Sequence, residues 1–415
     1  LDEYMAIFKD PQNVSVIFSS AYANNPASMF GHSFLKINSG KRSDLTEIGI
    51  NFSAYVPKDD NALTFMYFGV AGGYRGHWAT ENYYTMINTY VQGENRDLWE
   101  YELNFTPQET RQFLYYLWEL ETNSYFDYYF FDENCSYQIL AAIEAVKPEW
   151  EITGHTIYVI PGESVKNLFI YPETVKKVSV RPSMVRQVLQ KYEALDKNER
   201  REFFNLIKGE KVEKPSALAL ETGMVYFDYL NIKKEGKLSE ADKRRQMDLL
   251  SQRAALGPQP QLQARLKPIE PETRPDLGHD SYSVHLSQTA RQRADRYGAG
   301  STTNFKIKSA YHDLMDNDLG FKKYSHIDFP AVEFQYDSDL KTVRLNEMTA
   351  VSITSLPPMN FLSYAPSWKL DSGIYTARDY GCLNCRHVFF ELGGGASSNV
   401  FNSRYLLYTL ATARG

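Results

Sequence analysis

Hydropathy changes its period well along this chain, and that change limits the architectures open to it. Up to about residue 256, strand-like runs alternate with segments whose apolar residues recur at helical spacing. Beyond residue 278 the apolar residues recur every second position, in short runs separated by turn residues. Between the two lies Gly257–Gly278, rich in Pro and Gln, which reads as an extended linker. A chain of 415 residues has room for two or three domains. The pattern predicts an α+β chain: a mixed domain over 1–180, a charged helical accessory region over 181–256, a linker over 257–278, and antiparallel β structure over 279–415. The last part is expected to form a barrel or a piece of one.

Composition narrows the functional classes. At 43% hydrophobic and 23% charged residues, this is a folding chain. A net charge of −6 gives no basic footprint, so no nucleic-acid partner is expected. No run reaches the roughly 18 apolar residues a membrane helix needs. The nearest, Ala62 to Tyr74, is shorter and carries three glycines. The chain begins at Leu1 without a Met, which reads as a mature form whose export signal has been removed. Thirty tyrosines suit sites with one dry and one wet end, such as sugar clefts, interfaces and the girdles of membrane barrels. A Tyr-rich lineage would give the same composition.

The three cysteines divide into a pair and a single thiol. Cys382 and Cys385 form a C-x-x-C flanked by strand-like runs. A zinc site there would need two more ligands, and only His387 is near in sequence. A disulfide pinning a hairpin is the simplest account, and it implies an oxidising compartment. Neither a metal nor another cofactor is expected. Cys135 remains unpaired.

Local signals place Cys135 at a helix start. Asn13–Ser20, His32–Ile37 and Glu47–Ala54 read as strands, the last pairing with the second. Thr106, Pro107 and Glu109 form a helix start with a capping box, followed by a stripe of Phe113, Leu114, Leu117 and Leu120. Asp132 or Asn134 caps a second helix, Cys135–Val146, which Pro148 ends. Four amphipathic helices come next: Ser183–Lys191, Asp196–Lys208, Ser216–Lys234 and Ser239–Leu250.

A thiol attacks only as thiolate, and free N–H groups at a helix N-terminus favour that charge. The same groups can stabilise the oxyanion of an acyl-transfer intermediate. Of eight histidines, His32, opening a strand after Gly31, is the best-placed base. Asn51, on the neighbouring strand, is the candidate to hold its imidazole in one tautomer. His77 is a rival base, and the other histidines read as structural. A quiet core thiol and a satisfied structural histidine would leave the same local signals.

The joint order of several segments resembles a bacterial family, the Lnb N-terminal periplasmic domain. They are Pro26–Phe34 (PASMFGHSF), Glu94–Tyr101 (ENRDLWEY), Tyr128–Ser136 (YYFFDENCS) and Tyr158–Pro161 (YVIP), together spanning most of residues 1–170. The family's Asn-Cys-Thr motif ends here in Ser136. The segments around His279, Tyr311–Asp316 and Pro366–Trp368 are similar to the β region C-terminal to this domain in many relatives. The resemblance implies a circularly permuted papain-like fold, akin to NlpC-type and lecithin–retinol acyltransferase-like domains, in which the His strand precedes the Cys helix.

It also implies a thiol acyltransferase of the periplasm or outer membrane. Cys135 would take an acyl chain from a phospholipid donor as a thioester, and the α-amine of a lipoprotein acceptor would attack it. Asn134, Ser136, Arg96, Tyr128 and Tyr129 would serve substrate binding or the oxyanion, and membrane association would accompany that role. Two readings stand beside this one: an NlpC-type peptidoglycan peptidase, and a non-catalytic envelope module with an inert thiol. Aromatic runs at Phe65–Phe68 and Tyr125–Phe131 predict an apolar groove opening at Cys135.

Overall fold

The computed structural model describes residues 1–20, 30–57, 59–60, 62–130, 133–154, 159–267, 274–291, 300–309, 311–377, 382, 385–400 and 405–415. The chain divides into two compact units, Leu1–Asp276 and Leu277–Gly415. The helical region expected as an accessory therefore lies inside the first unit.

That unit is built on a seven-stranded sheet of β1 (Pro11–Ser19), β2 (His32–Ser39), β3 (Ile48–Tyr55), β4 (Tyr74–Asn82), β5 (Leu98–Leu103), β6 (Phe126–Tyr128) and β7 (Val175–Arg181). The order is β6-β4-β3-β2-β1-β5-β7, and every neighbouring pair is antiparallel. Helices α1 (Asp2–Phe8), α2 (Ala62–Ala71), α3 (Tyr83–Ile87), α4 (Pro107–Asn123), α5 (Cys135–Val146) and α6 (Pro161–Asn167) accompany it. Strand alternation sends Val14, Val16 and Phe18 of β1, with Leu35 and Ile37 of β2, to the face covered by α4 and α5. Ile17 and Phe34 go to the other face, against Tyr83, Met86 and Ile87 of α3. With both faces covered, the strands are apolar on both sides, and strict alternation is lost from the sequence.

The helix starts are set by their caps. The Thr106 hydroxyl accepts from the Glu109 N–H at 3.2 Å, and the Glu109 carboxylate accepts from the Thr106 N–H at 2.8 Å. Such a cap contributes about 1 kcal/mol. The predicted stripe of α4 is buried at Phe113, Leu114 and Leu117. After the sheet come α7 (Met184–Glu193), α8 (Lys197–Lys208), α9 (Ala217–Lys233) and α10 (Glu240–Ala255), capped by the side chains of Ser183, Asp196, Ser216 and Ser239, and a short helix, Leu262–Arg265.

The second unit is a sheet of β8 (Ser283–Arg291), β9 (Gly300–Lys308), β10 (Ser325–Asp328), β11 (Ala331–Asp337), β12 (Thr342–Ser355), β13 (Ser367–Ala377), β14 (Cys385–Val400) and β15 (Tyr405–Arg414). Its order is β15-β14-β13-β12-β11-β9-β8, with β10 beside β11 on the same edge of β12. The expected barrel is corrected here. A barrel needs its outermost strands to pair, and β8 and β15 lie at opposite edges of an open sheet. A period of two reports which face a side chain takes and is silent on closure. The Cys382–Cys385 disulfide forms at the β13–β14 connection, where Ala377 pairs with Cys385.

Candidate active site

The site begins with a turn that only glycine accommodates. Gly31 has φ +94°, and a Cβ there would lie 2.4 Å from Cε2 of Phe18. The turn delivers His32 as the first residue of β2. From there β2 pairs with β1 through Ser19↔His32, yet it pairs with β3 only through Leu35–Ile37 against Ile48–Ile50. The ladder between β2 and β3 therefore stops short of His32 and Ser33. On that side the Ser33 N–H is released from strand pairing, and it donates to the Cys135 sulfur instead. The hydroxyls of Ser33 and Ser136 hydrogen-bond each other at 3.1 Å and fasten the helix start at the same place.

Asn134 sets where α5 starts. Its Oδ1 accepts from the N–H groups of Ser136 at 2.9 Å and Tyr137 at 3.3 Å. Its Nδ2 donates to the carbonyls of Phe130 and Val159 at 3.0 and 2.5 Å. Both ends of the amide are thus engaged inside a buried site. Asn134, expected as a substrate contact, serves as the helix cap that aims Cys135.

Cys135 is 2% exposed and is the free thiol of the chain. Burial alone would raise its pKa. The facing His32 charge, a hydrogen bond from the His32 ring, the Ser33 N–H and the Ser136 hydroxyl outweigh burial and bring it down to about 7. Burial likewise works against a charged His32, but the Cys135 thiolate and the Asn51 hydrogen bond prevail, so its pKa rises. His32 Nε2 lies 2.8 Å from Asn51 Oδ1. That oxygen accepts, so Nε2 carries the hydrogen and Nδ1 is left to the thiol. The imidazole also packs beside Tyr90 and Phe34.

Tyr128 completes the surroundings. Its hydroxyl accepts from the Cys135 backbone N–H and also hydrogen-bonds the Cys135 side chain. Burial first, then the neighbouring thiolate, push its pKa far above the usual phenol range, so it stays a protonated donor. Its place is fixed by register: Tyr128 pairs with Tyr74 on the core face of the sheet.

Of the other expected residues, Arg96 lies beside the site, its guanidinium over the Tyr90 ring that packs against His32. Arg96 is buried and spends its guanidinium on the Ser20 and Ser19 carbonyls, at 2.6 and 2.9 Å, and on Glu94 at 2.8 Å. It anchors the strand end that pairs with His32. Tyr129 covers Gly72, where a Cβ would fall 2.2 Å from its ring. The rival base His77 is exposed on β4.

An apolar cleft of about 480 Å³ does lie beside the aromatic runs, lined by Tyr55, Phe68, Tyr74 and Tyr125 among others. Cys135 is not among its lining residues. Phe131 and the side chains of Phe65 and Met66 lie outside the described residues. A larger, polar cavity of about 740 Å³ is lined by Lys36, Asp44, Glu100 and Arg181, and it too is apart from Cys135. Sequence reasoning missed Ser33 and Tyr90. Ser33 acts through its backbone and leaves no side-chain signal. Tyr90 falls in the π-helical turn Asn88–Gly93, which carries no periodicity to read.

No curated protein and no solved structure is detectably similar to the chain. Residues 272–415 match a family described only as a domain of unknown function, DUF7840. Residues 2–171, which hold His32, Asn51, Tyr128 and Cys135 together, match the Lnb N-terminal periplasmic domain. The first region is therefore similar to the Lnb N-terminal periplasmic domain family over residues 2–171, which supports a periplasmic location.

Proposed function

We propose that the first unit is a thiol acyltransferase that moves a fatty acyl chain from a phospholipid to the α-amine of a lipoprotein, at the periplasmic face of the outer membrane. The observation that carries this reading is a buried Cys135 at the start of α5, facing a His32 held by Asn51. The arrangement fits a permuted papain-like domain, in which the histidine strand precedes the cysteine helix.

In the first half-reaction the Cys135 thiolate attacks the ester carbonyl carbon, and a C–S bond forms. The oxyanion takes hydrogen bonds from the Tyr128 hydroxyl and from the Cys135 N–H, which turns to it from the Tyr128 oxygen. The ester C–O bond then breaks, and His32 Nδ1–H protonates the departing alcohol. In the second half-reaction the amine attacks the thioester while neutral His32 removes its proton. The C–N bond forms, the C–S bond breaks, and the thiolate returns. Asn51 keeps the imidazole turned toward sulfur throughout.

The burial of Cys135 favours this reading over peptide-bond cleavage, since a water-poor site preserves a thioester for an amine. Intact-mass measurement after incubation with phosphatidylethanolamine tests it. An acyl-sized adduct, released by hydroxylamine and missing in Cys135→Ser, is expected. Cleavage of a peptidoglycan stem peptide without any adduct would contradict it.

A further inference from the structure

The second sheet wears its apolar side chains on the outside. One row of register partners crosses six strands: Val284, Ile307, Val332, Met348, Ile374 and Val388. Every member is apolar. The adjacent row, on the opposite face, is His285, Lys306, Glu333, Glu347, Tyr375 and His387, and all six are polar or aromatic. In a water-soluble sheet the apolar row would be the covered one.

Here much of the apolar row is exposed, as are His285 and His387 at the ends of the polar row, while the polar row between them is partly covered. On β14, Glu391 is 8% exposed between Phe390 at 51% and Leu392 at 52%. Val388, in the apolar row, is 77% exposed. The polar face is knitted by charge pairs: Lys306 reaches Glu347 at 3.4 Å and Lys369 reaches Glu391 at 3.0 Å. The Arg414 guanidinium lies 4.3 Å from the Phe389 ring centre on that same side.

We infer that the apolar face of this sheet is a lipid-contacting wall that sits among the acyl chains of a phospholipid bilayer. The inference does not depend on the chemistry at Cys135. Two observations single out lipid as the occupant. First, six of the eight strands have the required length, while β10 and β11, with 4 and 7 residues, are shorter. A membrane-crossing strand needs about 9–11 residues. β8, β9, β12, β13, β14 and β15 have 9, 9, 14, 11, 16 and 10. Second, alternation of apolar side chains outward with charge pairs inward is the pattern of a membrane β-wall, whose polar face lines an aqueous interior. A protein partner would need neither. Bilayers offer no water to unpaired strand edges, so β8 and β15 are expected to find edge partners on insertion.

The test uses the full chain with vesicles of phosphatidylethanolamine and phosphatidylglycerol. The chain should float with the vesicles, and the double variant Val388→Lys/Phe390→Lys should lower the bound fraction about tenfold or more. Because that variant could misfold, a second measurement uses tryptophan. In vesicles of brominated phospholipid, fluorescence added by Val388→Trp should be quenched. Fluorescence added by the neighbouring His387→Trp, on the polar face, should not be. Equal quenching of the two, or a chain that stays unbound, would overturn the inference. So would a discrete soluble dimer that shields Val388→Trp, which would assign the face to a second copy.

Discussion

Leu35 in the first sheet and Leu286 in the second both sit on antiparallel strands, yet one is fully buried and the other is 76% exposed. Helices α4 and α5 cover the first, while among the described residues the second unit has no α-helix of its own. The comparison teaches that a period of two assigns side chains to faces and leaves the environment of each face undecided. In the first sheet, burial creates a closed place where a thiolate and an imidazole can be matched. In the second, the polar face is knitted by charge pairs and the apolar face is turned out.

The largest expected effect tests what the covered sheet is for. Cys135→Ser should lower acyl transfer from phospholipid by about 10⁴-fold or more. His32→Ala should cost about 10²–10⁴-fold. Both are measured as release of lysophospholipid. A Cys135→Ser protein of undiminished activity would detach the chemistry from this sheet.

Stability sharpens the contrast between the sheets. Leu35→Ala should cost about 2–5 kcal/mol by opening a cavity. In aqueous solution Leu286→Ala should stay within about 0.5 kcal/mol of wild type. Urea unfolding of the two variants checks this, and equal losses would mean that the second face is covered after all. Smaller again is the cap: Asn134→Ala should cost about 0.5–2 kcal/mol. It should also raise the pKa of the Cys135 thiol as the helix start loosens. Loss of stability without any change at the thiol would reduce Asn134 to packing.

Much of this was legible from particular residues. Asn134 before an apolar helical run and Pro148 after it bracket α5 at Cys135–Val146 as expected. The Thr106–Glu109 box and the four Ser or Asp caps of α7 to α10 mark their helices for the same reason, since caps are local. The His32–Asn51 contact comes from two strands expected to pair. The illegible part is non-local. The early end of the β2–β3 ladder, which frees the Ser33 N–H, leaves no mark in composition. The contact of Tyr128 with Cys135 arises from a three-residue strand too short to show a period. The Ala62–Ala71 run is helical, although its glycine-flanked apolar character carries no face to read. The open edges of the second sheet are equally invisible, since closure depends on strands far apart in sequence.

The central claim is that Cys135 is a thiolate at neutral pH because His32 faces it. Thiolate absorbance near 240 nm, taken as wild type minus Cys135→Ser across pH 5 to 9, reads it directly and needs no reagent to reach a buried sulfur. The step belongs to the coupled pair and should centre near pH 7. His32→Ala should move it upward, to about 8.5 or beyond, because burial then acts unopposed. A wild-type step at the ordinary thiol value, unchanged by His32→Ala, would contradict the account.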